Sequence, residues 1–154
     1  MISVPLKLLN LQDDGFHLLL EVIVFGKPFK AVLDTGASKT VFDKATVETH
    51  LHDDMVLQHT DMVSTGLGTT SMESFMLKVP DLQIGGLHLK RHEVAVLDLS
   101  TINYAYEQLD IEPVIGVVGG DILTRYGGVI DYRKSILTLR KRKVRIDTTP
   151  SRPR

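Results

Sequence analysis

Apolar residues in this chain fall into runs of strand length, parted by glycine, proline and acidic residues. Residues 4–12 and 16–25 form two such runs, separated by "QDDG", whose composition suits a turn. "FGKP" at 25–28 predicts a second turn, and the strand after it ends at Asp34. Residues 41–57 mix apolar and polar positions and leave room for one short helix. "STGLGTTS" at 64–71 is small, polar and punctuated by glycine. Lying between "DMV" and "FMLKV", it suits the tip of a hairpin. "LQIGGLHLKRHEVAVLD" at 82–98 predicts strand, Gly-Gly turn, strand, and residues 99–112 read as irregular.

The stretch "VIGVVGGDILTRYGGVIDYRKSILTLR" at 114–140 is the second informative region. "VIGVV" predicts a buried strand. Asp121 is placed to cap a short helix over Ile122–Tyr126 by accepting backbone N–H groups at its start. Gly127 suits the position just past the helix end. "GVIDYRKSILTL" then predicts two strands joined by a polar turn at "DYRK". There is no internal repeat and no linker. Many short strands with glycine-rich turns make the class all-β, a barrel or sandwich with one or two short helices.

Composition changes this picture little. At 154 residues the chain has the length of about one domain. A net charge of −1 gives no bulk argument for nucleic acid or membrane binding. The lack of cysteine excludes disulfides, thiolate metal sites and a cysteine nucleophile. No apolar run approaches the roughly 18–20 residues that span a bilayer. The first residues lack a basic segment followed by a long apolar one, so no signal peptide is read and a cytoplasmic location is expected. Charge is uneven, however. Residues 140–154, "RKRKVRIDTTPSRPR", carry seven Lys/Arg and one Asp, whereas residues 1–139 carry eleven Lys/Arg and eighteen Asp/Glu. The expected organisation is a domain over 1–139 and a basic C-terminal segment over 140–154 that is at least partly disordered. That segment is the sole hint of a nucleic-acid partner. A solvated tail is the expected outcome, with neither nucleic acid nor membrane as a partner.

The candidate chemistry lies in "FKAVLDTGASKTVF" at 29–42. Asp34 puts a carboxylate at the end of an apolar strand, where burial is costly unless it is paired or hydrogen-bonded. Gly36 allows a sharp turn or the close approach of another backbone. Taken alone, the tripeptide Asp34-Thr35-Gly36 also fits an ordinary turn. Other chemistries find less support. "ETHLHDDM" holds an H-x-H with nearby aspartates but suits an exposed polar loop, so no metal is expected. Ser38 lacks the G-x-S-x-G setting of a serine nucleophile. "GLGTTS" lacks the G-K-[ST] ending of a phosphate loop, and "VVGGDIL" carries no dinucleotide fingerprint. No cofactor is expected. Asp131 in "GVIDYR" has no small turn after it and reads as structural.

Three features stand in a telling order: the strand ending in Asp34-Thr35-Gly36-Ala37-Ser38, the glycine-tipped hairpin around Gly66-Leu67-Gly68, and Val117-Val118-Gly119 followed by "GDIL" and a closing strand pair. In this the chain resembles the retropepsin-like aspartic proteases, in particular their single-domain cellular and bacterial members. The resemblance runs from about Leu18 to Leu139. It implies an acid-protease barrel active as a C2 homodimer, with Asp34 as the catalytic carboxylate. Thr35 would brace the dimer beneath the two active loops. Gly36 would let the backbone approach its symmetry mate and the substrate. Ala37 and Ser38 would complete that loop. Val117, Val118 and Gly119 would cross behind and support it. Gly66, Leu67 and Gly68 would form the tip of a flap over the substrate. The chain departs from viral members, which place an Asp four residues after the catalytic Asp and an Arg just after the later Gly. Here those positions hold Ser38 and Gly120, and what replaces that ion pair is open.

Peptide hydrolysis without metal or covalent intermediate needs one carboxylate as general base and one carboxylic acid as general acid. The chain has one Asp-Thr-Gly, so the second carboxylate would come from a second copy. The implied activity is that of a homodimeric aspartic endopeptidase acting on polypeptide substrates. The alternative is a dimeric peptide-binding or scaffold domain that keeps the fold without significant catalysis.

Overall fold

The computed structural model describes residues 1–52, 55–60 and 73–151. The chain opens with β1 (Ile2–Pro5) and β2 (Lys7–Asn10), a one-turn 3-10 helix (Gln12–Asp14), β3 (Phe16–Val24) and β4 (Lys27–Leu33). Next come β5 (Val41–Asp43), α1 (Lys44–His50) and β6 (Gln58–Thr60). A long hairpin follows, β7 (Ser74–Ile84) and β8 (Leu87–Leu97), then α2 (Ser100–Gln108) and β9 (Gly116–Val118). The described chain closes with α3 (Gly120–Arg125), β10 (Val129–Asp131) and β11 (Ile136–Leu139). Among the described residues, no helix is long and apolar enough to cross a membrane.

The larger sheet has the order β2-β3-β4-β9-β5-β8-β7-β6. A further pairing of β3 with β7, Ile23 opposite Gln83, closes six of these strands into a barrel. A second sheet, β1-β11-β10, packs its Val4, Leu137 and Leu139 into the same core. The first apolar run therefore does not make one strand. Pro5 has no N–H to extend the ladder, Leu6 donates its N–H to the Ser135 carbonyl at 2.9 Å, and the chain passes from one sheet to the other. The turn at 25–28 is tighter than its sequence suggests. Phe25 and Gly26 both take positive φ (56° and 72°), with Val24 directly opposite Lys27. That is the two-residue geometry whose twist matches the flanking strands.

The centre of the barrel explains why its strands read as unbroken apolar runs. β9 lies between β4, to which it is parallel, and β5, to which it is antiparallel. Side chains alternate between two packed faces. Leu33, Phe42 and Val118 enter the main core, whereas Val32, Val41 and Val117 enter a second cluster with Leu97, Leu99 and Tyr106. Strands buried on both faces have no polar side to show.

Helix α2 corrects the expectation of an irregular 99–112. "STINYAYEQ" is rich in β-branched and aromatic residues and makes a poor helix by propensity. Tertiary contacts override this. Tyr106 is buried in the second cluster, and the Asn103 side chain bonds both polar groups of Val114, donating to its carbonyl at 3.1 Å and accepting its N–H at 2.8 Å. Helix α1 occupies part of the mixed segment and is capped by Asp43, which accepts from the N–H and hydroxyl of Thr46 and, through its other oxygen, from the N–H of Leu99. Past β11, the basic segment begins against the C-terminal end of α3, with Arg140 N–H on the Tyr126 carbonyl and Val144 N–H on that of Arg125.

Candidate active site

β4 ends by delivering Asp34 to a loop, residues 34–40, that must cross the end of β9 before β5 can form on its other side. The loop starts as a tight turn, with Ala37 N–H on the Asp34 carbonyl at 3.2 Å and Gly36 N–H on Asp34 Oδ1 at 2.9 Å. Such turns are a local habit of Asp side chains. Asp34 and Ala37 are partly buried, and Thr35, Gly36 and Ser38 are exposed in the single chain.

The main chain of the loop is held from beneath along its length. Asp34 N–H donates to the Val118 carbonyl at 3.0 Å, Gly120 N–H to the Ala37 carbonyl at 2.8 Å, and Ala95 N–H to the Thr40 carbonyl at 3.0 Å. Gly119 sits where the two segments meet. A Cβ there would lie 2.7 Å from the carbonyl oxygens of both Ala37 and Lys39. Gly116 is tighter still, since its Cβ would fall 1.8 Å from the Val41 carbonyl oxygen. A glycine inside an apolar strand is the sequence signal of such close approach; Gly116 carries that signal within β9, whereas Gly119 was expected at the crossing through the family resemblance alone.

Where the sequence left a gap at Ser38 and Gly120, the structure supplies two contacts. One is the Gly120–Ala37 backbone bond. The other is a side-chain relay. Thr40, 0% exposed, accepts Gly119 N–H at 3.2 Å and donates its hydroxyl to Asp121 Oδ1 at 2.9 Å. Asp121 Oδ2 meets His92 Nε2 at 3.0 Å, and because an ionised carboxylate only accepts, Nε2 carries the hydrogen. Burial opposes ionisation of Asp121. The hydrogen bonds from His92 and Thr40 outweigh it and hold the carboxyl below its usual value. Asp121 is thus not the cap of α3. The helix starts two residues earlier than expected, at Gly120, with Gly119 at its cap position and no side-chain cap bond. Its other end fits the pattern: Gly127 has φ 56°, with its N–H on the Thr124 carbonyl and Gly128 N–H on that of Leu123.

His92 escaped the sequence reading because the β7–β8 hairpin changes phase. Leu87 and Leu89 are buried, Lys90 and Arg91 are both exposed, and burial resumes at Val94 and Val96. The switch falls at Arg91, whose φ is 54° and which lies where the ladder skips a pair, between Val79–His92 and Asp81–Lys90. His92 is thereby turned inward with Val94. Tyr106 was missed with α2. Its hydroxyl lies 2.6 Å from His17 Nδ1, and burial, with the charge of Asp34, pushes its phenol up to about 12.

Asp34, Thr35, Gly36, Ala37, Ser38, Val117, Val118 and Gly119 are therefore brought together at one end of the barrel. Gly66, Leu67 and Gly68 lie outside the described residues. The strands on either side of that segment do pair antiparallel, Gln58 opposite Met76 and Thr60 opposite Ser74. Asp131 accepts Lys134 N–H within the β10–β11 turn, and His50 stacks on Phe25.

A closed barrel with a strand threaded beneath an Asp-Thr-Gly loop is the retropepsin-like acid-protease fold. The chain belongs to the aspartyl protease family, whose model matches residues 20–122. Among solved structures it is similar to a retropepsin-like aspartic protease from Rickettsia conorii, at 22% identity and TM-score 0.53, over 89% of this chain and 90% of that one. It is also similar to the retroviral protease-like domain of Ddi1 from Leishmania major, at 18% identity and TM-score 0.52, over 79% and 86%. No curated protein matches the chain.

Proposed function

We propose that this chain is a homodimeric aspartic endopeptidase in which Asp34 from each of two copies forms the catalytic pair. The observation that carries the reading is a single Asp-Thr-Gly, with its carboxylate at the end of a doubly buried strand and its backbone bonded to β9 and α3 from beneath. Family membership supports it. Two adjacent carboxylates share a proton because both cannot ionise. The ionised one takes a proton from water as the oxygen attacks the peptide carbonyl, and the protonated one delivers its proton to the leaving nitrogen.

In this scheme Thr35, Gly36, Ala37 and Ser38 form the loop that meets its symmetry mate, and Val117, Val118 and Gly119 are its floor. We assign Gly66, Leu67 and Gly68 to a flap, supported by the antiparallel arms β6 and β7. The substrate is an extended polypeptide that pairs as an added strand. Residues 1–139 are the peptidase unit and 140–154 a basic appendage. Neither metal nor cofactor takes part.

The test is cleavage of fluorescein-labelled casein by wild type and by Asp34→Asn. The variant should keep its fold and dimer and lose cleavage, because Asn cannot shuttle a proton. A wild type that binds pepstatin yet cuts nothing in a denatured proteome would instead be a peptide-binding domain.

A further inference from the structure

The relay behind the Asp34 loop is partly buried, holds an ionised carboxylate and is unused by the chemistry above. Thr40 is fully buried, and the side chains of His92 and Asp121 are 17% and 18% exposed. Each hydrogen bond in it has a fixed direction: Gly119 N–H to Thr40 Oγ1, the Thr40 hydroxyl to Asp121 Oδ1, and His92 Nε2–H to Asp121 Oδ2. A charge kept in so enclosed a place costs stability unless every partner is present. Its near end is the amide of Gly119, at the crossing where a Cβ has no room. Its far end is on β8, outside the Asp34 loop.

We propose that His92 is a positioning residue for the Asp34 loop. Through Asp121 and Thr40 it fixes the Gly119 amide, and with it the backbone on which Asp34 and Ala37 rest. The proposal builds on the peptidase reading but has its own readout. His92→Leu leaves Asp121 Oδ2 without its donor, whereas His92→Gln restores a donor. Thr40→Val cuts the same relay at its other end, whereas Thr40→Ser keeps the hydroxyl.

The experiment measures casein cleavage and, on the same proteins without substrate, amide hydrogen exchange. His92→Leu should lose about tenfold in kcat, as expected for sub-ångström misplacement of a reacting group, with KM within about twofold of wild type. His92→Gln should recover most of that loss. His92→Leu combined with Thr40→Val should be no worse than Thr40→Val alone, since both break one relay. Amides at 36–40 and 119–120 should exchange faster in the cut variants. Should His92→Leu fail to fold, the contrast between Thr40→Ser and Thr40→Val carries the same test. If wild type cleaves no casein yet those amides respond, the linkage stands and the peptidase reading falls. Additive losses, a change in KM instead of kcat, or a Gln variant no better than Leu would overturn the proposal.

Discussion

Replacing Gly119 by alanine should lift the Asp34 loop off its floor. The added Cβ would stand 2.7 Å from the carbonyl oxygens of Ala37 and Lys39 and 2.8 Å from the Lys39 carbonyl carbon. Ordinary contact begins near 3.4 Å, so about 0.7 Å must be found on two sides at once. No side chain can rotate away, because every clashing atom is backbone of the loop itself. Overpacking of this kind costs about 1–3 kcal/mol. For a chain of this length that lowers Tm by roughly 2–12 °C. Displacement of the Asp34 loop by half an ångström or more should also cost about tenfold or more in kcat. Gly120→Ala is the control. Its Cβ would sit 3.5 Å from the Ala37 oxygen, an ordinary contact, and its stability should stay within about 0.5 kcal/mol of wild type. Urea unfolding at fixed protein concentration measures the first quantity and casein cleavage the second. If Gly119→Ala matches Gly120→Ala in both, the crossing is not tight and the account of the floor is wrong.

Asp34→Asn subunits mixed with wild type should reduce activity as the square of the wild-type fraction, so an equal, fully exchanged mixture keeps about a quarter; a linear fall would mean that each chain works alone. The lowered pKa of Asp121 gives stability that is full above the unfolded value, 3.8, and is lost as pH falls toward the folded one. The stability advantage of wild type over Asp121→Asn should therefore shrink between about pH 5 and 3, and an advantage that grows on acidification would contradict the assignment. Asp43→Ala removes the cap of α1 and strands the buried Leu99 N–H, which should cost about 2–3 kcal/mol in urea unfolding; a loss under 0.5 kcal/mol would show those bonds to be replaceable.

What the sequence disclosed follows from what periodicity can encode. β3, β4, β10 and β11 were legible because their apolar runs end at glycine or at polar turns. Asp34 stood out because a carboxylate closes an apolar strand. Helix α2 was not legible, since its stability comes from Tyr106 and Asn103 contacting residues far away in sequence and not from its own propensity. Nor was the inward turn of His92. A period-two reading of "LKRHEVAV" assumes constant phase, and the positive φ of Arg91 breaks it. Asp121 was seen, but its position just before an apolar stretch suggested a local cap. Its actual partners lie 81 and 29 residues away.

The threading of β9 between β4 and β5 has a consequence for the order in which the molecule is made. Ala31 pairs with Gly116 and Val41 with Val117, contacts separated by about half of the chain. Loop closure over such spans is entropically expensive and slow. As the chain leaves the ribosome, Asp34 emerges before residues 116–120 and has no floor until they follow. The Asp34 loop is therefore completed only when a much later segment of the chain has been made. A truncation ending at residue 112 lacks that floor and should show residues 34–40 unprotected from hydrogen exchange.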